Sequence, residues 1–388
     1  MQLATAPAIR RLGLEQAVGD VLDRRLQARH PRSIAMALSG GGDSLALLLA
    51  AAAWAERAGR ELLVLTVDHG LRAESADWTR TCAATARRLG LAFRALSWTG
   101  EKPATGLPAA ARLARHRLLA DAAREAGARV ILMGHTASDI REAAAMRAAG
   151  STTPDPREWS PSPVWPQGRG LFILRPMLGV ARADIRDWLT ARGETWIDDP
   201  ANADLAYARP RARQALAASP PSTGAAPQDT SAAELARACR PEAEGGLRID
   251  RALLRAADPE ACRRFVSAAC LSAAGTDRPP RREKLARLVA RLASDDRFTA
   301  TLAGARIEAD ATLASFRREP GEAARGGLAP LRLAAGETGV WDRRFEITAE
   351  AALEACAAPG SAQPTVAGRP LAYERLLAAC GAVEREPA

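Results

Sequence analysis

The sequence predicts an α/β protein: a doubly wound, mostly parallel sheet, followed by a smaller, largely helical C-terminal domain. Three observations carry this. Short apolar strands alternate with helix-length amphipathic segments from residue 33 to residue 149. A glycine triplet joins the first strand to its helix. A stretch rich in Pro, Ser and Ala, 216–232, then interrupts the pattern before helical segments resume.

The elements follow in order. Residues 10–29 read as an amphipathic helix with Leu12, Leu14, Val18, Val21, Leu22 and Leu26 on one side, ended by Pro31. Ser33 to Leu38 is a strand and Leu45 to Ala58 a helix, with Gly59 placed to cap its C-terminus. Strands at 61–68, 91–96 and 129–133 alternate with helices at 78–89, 109–126 and 138–149. Right-handed crossovers put the strand-end loops 39–44, 68–75, 97–108 and 134–139 on one edge of the sheet, where such folds bind ligands. Residues 150–170 read as a long irregular loop, 171–178 as a fifth strand and 182–191 as a helix. Beyond the linker, helices are expected at 233–239, 259–273 and 282–292. Hairpin strands are expected around Gly304 and Gly336. The expected organisation is an N-terminal helix (1–30) packing on a catalytic domain (31–215), the linker (216–232), a mainly helical domain (233–330) and a short C-terminal region (331–388).

The net charge is +9 and nearly all of its cations are arginine, with lysine only at Lys102 and Lys284. That surplus suits a polyanionic partner, since arginines neutralise phosphates and release counterions. The six cysteines include no CxxC pair, which argues against a zinc knuckle or a redox dithiol and fits a reducing cytoplasm. No apolar run is long enough for a membrane span.

The segment SGGGDS, residues 39–44, raises the chemical question. Gly40, Gly41 and Gly42 let backbone N–H groups converge on an anion, and the helix that follows adds its own free N–H groups and positive dipole end. Ser39 and Ser44 offer hydroxyls to the same oxygens. Asp43 does not suit a bare phosphate; it suits Mg2+ held against phosphates, or loop orientation. A Walker A loop needs a lysine that is absent here, and the spacing fails for GxGxxG.

SGGGDS resembles the SGGxDS signature of the PP-loop ATP pyrophosphatases, whose fold is the adenine nucleotide alpha hydrolase type. Four further segments are similar to the tRNA(Ile)-lysidine synthetase family in particular: VDHGLRAES (67–75), ARLARHRLL (111–119), GHTASDIRE (134–142) and WIDDPANADLAYARPRAR (196–213). The resemblance implies an enzyme that consumes ATP with Mg2+. It adenylates C2 of the wobble cytidine of a tRNA(Ile) with anticodon CAU, releases pyrophosphate, and lets L-lysine displace AMP. A thiolase-type relative and a non-catalytic tRNA-binding homologue are the alternatives; the former usually uses paired cysteines.

Carried onto this chain, the resemblance gives Ser39, Gly40, Gly41, Gly42, Asp43, Ser44 and Asp68 to ATP. It gives Asp43 to the metal, and Asp43, Arg112, His135 and Asp139 to catalysis, with Arg115 beside Arg112 on one helix face. Asp139 and Glu142, also three apart, are expected to take the ammonium groups of lysine. Arg209, Arg211, Arg213, Arg281 and Arg282 are expected on the tRNA backbone. The sequence departs from the family at Ser138 and Ile140, where an acid and a glutamine are usual.

Overall fold

The computed structural model describes residues 6–151, 156–199, 208–217, 231–294, 296–321 and 328–387. The chain divides into two units, Met1–Ala225 with Glu384–Ala388, and Ala226–Val383. Most of the linker expected at 216–232 lies outside the described residues, as does Asn202 of the WIDDPAN segment.

Among the described residues, unit 1 has six strands: β1 (Ile34–Ala37), β2 (Leu62–Asp68), β3 (Ala92–Ser97), β4 (Val130–Leu132), β5 (Trp159–Pro161) and β6 (Phe172–Leu174). Their order is β3-β2-β1-β4-β6-β5. All pairs are parallel except β5 with β6. Ala35 of β1 pairs with Leu63 on one side and Ile131 on the other. The order therefore reverses between β1 and β4, and the crevice beyond their C-terminal ends is where open α/β sheets take ligands.

Among the described residues this unit has seven helices: α1 (Ala6–Arg25), α2 (Gly42–Ala58), α3 (Ser75–Arg88), α4 (Leu107–Glu125), α5 (Ala137–Ala148), α6 (Arg182–Ala191) and α7 (Ala208–Ala217). Helix α1 departs from helical geometry at Gly13. Its Leu14, Val18, Val21 and Leu22, with Leu26 just beyond it, are buried. The α2 C-cap is Gly59 in the left-handed region, as the glycine's position predicts. Met36, Leu65, Ile131 and Leu119 are almost wholly buried between sheet and helices.

Two expectations change here. The segment 150–170 is not wholly irregular: it contains β5, an edge strand whose Trp159 stacks on Phe172 at 4.8 Å. An edge tolerates Pro161, whose missing N–H would break an interior ladder. Strand β6 stops at Leu174 instead of running to 178, because Pro176 cannot donate to a ladder.

The final described residues also belong to unit 1. Glu386 is buried against Arg60 in a two-pronged ion pair, Nη1–Oε2 2.8 Å and Nη2–Oε1 2.9 Å. Arg60 donates further to the carbonyls of Gln27 and Arg32. Removing one member of such a pair strands the other charge, at a cost of about 3–5 kcal/mol.

Unit 2 mixes helices with antiparallel sheet. Helices α8 (Ser231–Ala238), α9 (Arg251–Ala256), α10 (Pro259–Ala274) and α11 (Arg282–Ala293) accompany β7 (Arg240–Pro241), β8 (Leu247–Asp250), β9 (Phe298–Leu302), β10 (Ala305–Ala309) and β11 (Leu313–Arg318). The strands form one sheet in the order β7-β8-β11-β10-β9. Helical residues outnumber strand residues in 233–330, but the five-stranded sheet goes beyond the one hairpin expected there. Strands of two to six residues give little periodic signal. The β9–β10 hairpin does turn at Gly304, with Ala303 and Gly304 both at positive φ.

The remainder contains β12 (Leu331–Leu333), β13 (Thr338–Trp341), β14 (Phe345–Thr348), β15 (Leu353–Ala355), β16 (Arg369–Pro370) and α12 (Ala372–Cys380). The hairpin expected around Gly336 is instead β13–β14, turning at Asp342 and Arg343; β12 pairs with β15. Ala372 and Leu376 of α12 join the core that holds Phe265 and Phe316, so residue 331 is not a structural boundary.

Candidate active site

The glycine loop joins β1 to α2 at the reversal of strand order. Gly40 has φ of +82°, and a Cβ there would lie 2.4 Å from Ile197 Cδ1. Both facts demand glycine. The Ile197 N–H donates to the Gly40 carbonyl at 3.0 Å, so the WIDD segment closes over the loop. Behind it, a Cβ on Gly134 would lie 2.9 Å from the Asp43 carbonyl oxygen, which shows how tightly the β4–α5 turn abuts the start of α2. No side chain caps the α2 N-terminus at Gly41. The first N–H groups of α2 are therefore left for an anion.

Ser39 and Ser44 are occupied within the loop. Their hydroxyls are 3.0 Å apart, Ser39 N–H donates to Ser44 Oγ at 3.2 Å, and Ser44 Oγ donates to the Gly41 carbonyl at 2.9 Å. Asp68, at the end of β2, accepts from the Gly70 N–H at 2.8 Å. Next to it, His69 meets Trp98 edge-on at 6.0 Å, and Lys102 Nζ lies 4.0 Å over that indole. Burial, then Arg115, holds the His69 imidazole below its usual range.

On one flank of the loop, three carboxylates and three guanidiniums interlock. Arg182, the first residue of α6, sends Nε to Asp43 Oδ2 at 2.9 Å, Nη1 to Glu142 Oε1 at 3.0 Å and Nη2 to Asp139 Oδ2 at 3.4 Å. Arg213 Nε donates to Glu142 Oε1 at 2.8 Å. Arg209 lies 3.3 Å from Glu142 and 3.6 Å from Asp139. Glu142 is only 1% exposed and Asp139 6%. Asp139 also caps its own helix, accepting from Thr136 N–H at 2.8 Å and Thr136 Oγ1 at 2.9 Å. Burial pushes the Asp43 carboxyl up, against the pull of Arg182; neighbouring Asp139 adds to the rise. Burial alone would lower Arg182, but Asp43, Asp139 and Glu142 together raise it.

The other flank carries cations. Arg115 is held down to about 10 by burial and by Arg112 and Arg209. Arg175 is held down to about 10 by burial, Arg112 and Arg115. Burial, then Arg115, Arg112 and Arg175, pushes the His116 imidazole down to about 2. Burial and the same arginines, Arg175 first, keep His135 well below its usual range. Both imidazoles are neutral at pH 7, while the guanidiniums stay charged. Arg175 Nη1 donates to the Arg157 carbonyl and to Ser160 Oγ. Arg115 Nε, both ring nitrogens of His116 and Nδ1 of His135 are buried without hydrogen-bond partners among the described residues.

The sequence-predicted residues thus fall into distinct places. Ser39 to Ser44, Asp139 and Glu142 come together, with Arg112 and His135 belonging to the cationic flank. Arg209 and Arg213, expected to face RNA, instead reach Glu142, because a buried carboxylate draws any cation within reach. Arg211 is exposed on α7. Arg281 and Arg282 stand exposed at the start of α11 in unit 2. As for the metal, Asp43 is engaged by Arg182, and no group of three His, Cys, Asp or Glu among the described residues is placed to hold an ion. Asp198, in the WIDD segment, accepts from Trp196 Nε1 at 3.3 Å. Arg182 and Arg175 were not legible as site residues.

Residues 14–219 match the family model of the PP-loop domain. A tRNA(Ile)-lysidine synthase of Caulobacter vibrioides is 54% identical over 330 residues, covering 84% of this chain and 77% of that protein. Its counterpart in Rhizobium meliloti is 44% identical over 200 residues, covering 49% and 44%. That of Hyphomonas neptunium is 35% identical over 358 residues, covering 88% and 94%.

Proposed function

The chain belongs to the PP-loop family and, within it, to the tRNA(Ile)-lysidine synthases, and on that premise we propose that it ligates L-lysine to C2 of the wobble cytidine of a tRNA(Ile) with anticodon CAU. ATP supplies the activation. The cytidine C2 oxygen bonds to the α-phosphorus as the bond to the β-phosphate breaks, and pyrophosphate leaves. The deprotonated ε-amine of lysine then adds to C2, and AMP departs with the C2 oxygen.

One observation carries this reading: a bare-backbone loop at the sheet's switch point lies beside buried acids, and close to those acids stands a group of arginines that depress one another. Such a site suits one anionic and one cationic reactant at once. The N–H groups of Gly40 to Gly42 and the α2 N-terminus would stabilise the leaving pyrophosphate. Arg112 and Arg115 would take phosphate oxygens through their guanidinium forks. His135, neutral and with a ring nitrogen free among the described residues, would bond to the nucleotide or to the reacting base. Asp68 would face the ribose.

Asp139 and Glu142 would hold the ammonium groups of lysine. They would then exchange Arg209 and Arg213 for the substrate's charges, while Arg182 stays in place. Mg2+ fits the donor set: a hard cation bound mainly by phosphate oxygens needs only one or two carboxylates, and Asp43, at the loop, binds Arg182 through Oδ2 alone. Asp43 would hold it, and the ion would neutralise phosphate charge. Arg211, Arg281 and Arg282 are exposed and would meet the tRNA backbone; Arg209 and Arg213 would do so once released from Glu142. No helix among the described residues is long and apolar enough to cross a membrane. All six cysteines are free thiols. We place the reaction in the cytoplasm.

The test is incubation with ATP, Mg2+, labelled lysine and unmodified tRNA(Ile) bearing CAU. Label is expected in the tRNA, with one pyrophosphate released per lysine. Unlabelled tRNA despite pyrophosphate release would remove lysine as the nucleophile.

A further inference from the structure

Arg182 has no role in the reading above, yet it is the only described side chain that touches all three acids of the site. Those acids come from different places. Asp43 is on α2, at the glycine loop. Asp139 and Glu142 are on α5, after β4. Arg182 starts α6, after β6. One planar guanidinium thus joins the two helices that flank the strand-order reversal.

Its backbone is fixed to both. The Ala137 N–H, at the start of α5, donates to the Val180 carbonyl at 2.9 Å. Ile185 and Leu189 of α6 are fully buried, and Leu189 Cδ1 would lie 3.5 Å from a Cβ on Gly42 of α2. The side chain is about one-fifth exposed. A cation in the first turn of a helix opposes the helix dipole, so the position is unfavourable for α6 alone. The three ion pairs offset it.

We propose that Arg182 is a positioning residue that fixes the distance between the loop acid Asp43 and the α5 acids Asp139 and Glu142. It thereby sets the spacing between the nucleotide-activating and the lysine-holding halves of the site. The proposal rests on the lysidine synthase reading. Its physical basis is the shape of the group: Nε, Nη1 and Nη2 project in one plane toward three separate carboxylates. A lysine at 182 keeps the charge and loses the fork.

The consequence is unequal damage to the two steps. Activation needs the loop half alone, whereas transfer needs both halves in register. In R182K, pyrophosphate release in the absence of lysine is expected to fall less than about fivefold. Single-turnover transfer from preformed adenylate to labelled lysine is expected to fall about 100-fold, the scale of a reactant misplaced by about 1 Å. R182A should be worse in transfer than R182K. Equal loss in both steps would mean a merely structural role and overturn the proposal, as would wild-type transfer in R182K. If R182K lacks a cooperative thermal transition, R182Q is measured in the same two assays with the same criteria. Wild-type protein assayed in parallel separates the two claims: its failure to transfer lysine removes the substrate assignment, while its success with parallel loss in the variant removes only the role of Arg182.

Discussion

The two flanks of the glycine loop solve opposite electrostatic problems. On the α5–α6 side, Asp43, Asp139 and Glu142 are matched by Arg182, Arg209 and Arg213, so the buried charges cancel within the protein. On the α4 side, Arg112, Arg115 and Arg175 repel one another, and His116 and His135 stay neutral rather than join them. Burial is common to both, so burial does not explain the difference. A neutralised cluster is stable without a ligand and gives up its arginines only to another cation. An uncompensated cluster is costly without a ligand and is relieved by an anion. Arg209 belongs to both: it pairs with the acids and also depresses Arg112 and Arg115.

The largest expected effect breaks the balanced flank at the loop. Asp43→Ala removes the acid nearest the α2 N-terminus and one of the three partners of Arg182. Adenylation, followed as pyrophosphate release with ATP and tRNA, should fall by about 1000-fold, the upper end for a single preorganised electrostatic group. Binding of tRNA, measured by filter retention, should stay within about twofold, because phosphate contacts elsewhere carry it. Adenylation at the wild-type rate would remove Asp43 from the chemistry.

A smaller effect is expected on the cationic flank. Arg112 is exposed on α4 and shares its anion with Arg115. Arg112→Ala should therefore lower the adenylation kcat by about 100-fold, as loss of one oxyanion-stabilising donor does elsewhere. Lysine KM should stay unchanged, since lysine is assigned to the other flank. A rise in lysine KM with unchanged kcat would reverse the assignment of the flanks.

Legibility followed sequence distance. Gly40 to Gly42 were readable because one loop carries the whole signal, and Asp139 with Glu142 because a helix brings residues three apart together. Arg182 lies 139 positions from Asp43, and no periodicity connects them. A cue did exist: a basic residue at a helix start, against the dipole, implies an acid nearby. Arg175 offered a similar cue as a charge inside the apolar run LFILRPML. The parallel sheet was legible through the alternation of short apolar strands with helix-length segments. The three-residue strand β5 and the antiparallel sheet of unit 2 were not, since their pairing depends on partners far along the chain. The pairing of Arg209 and Arg213 with Glu142 was hidden for the same reason.

The smallest effect tests the contrast through pH. His116 is 2% exposed and its pKa is pushed from 6.5 down to about 2 in the folded chain. Below about pH 6.5 the unfolded chain binds a proton there that the folded chain does not. Stability must therefore fall as pH falls, by about 1.4 kcal/mol per pH unit for this one group. His116→Phe removes the titration and leaves no hydrogen bond broken, because neither ring nitrogen has a partner among the described residues. Urea unfolding should show the wild type losing about 1.6 kcal/mol more than the variant between about pH 6.5 and 5, the slope starting at half its full value because the unfolded imidazole is half protonated at pH 6.5. Equal slopes in the two proteins would mean that His116 is protonated in the fold and that the α4 flank is not the uncompensated one.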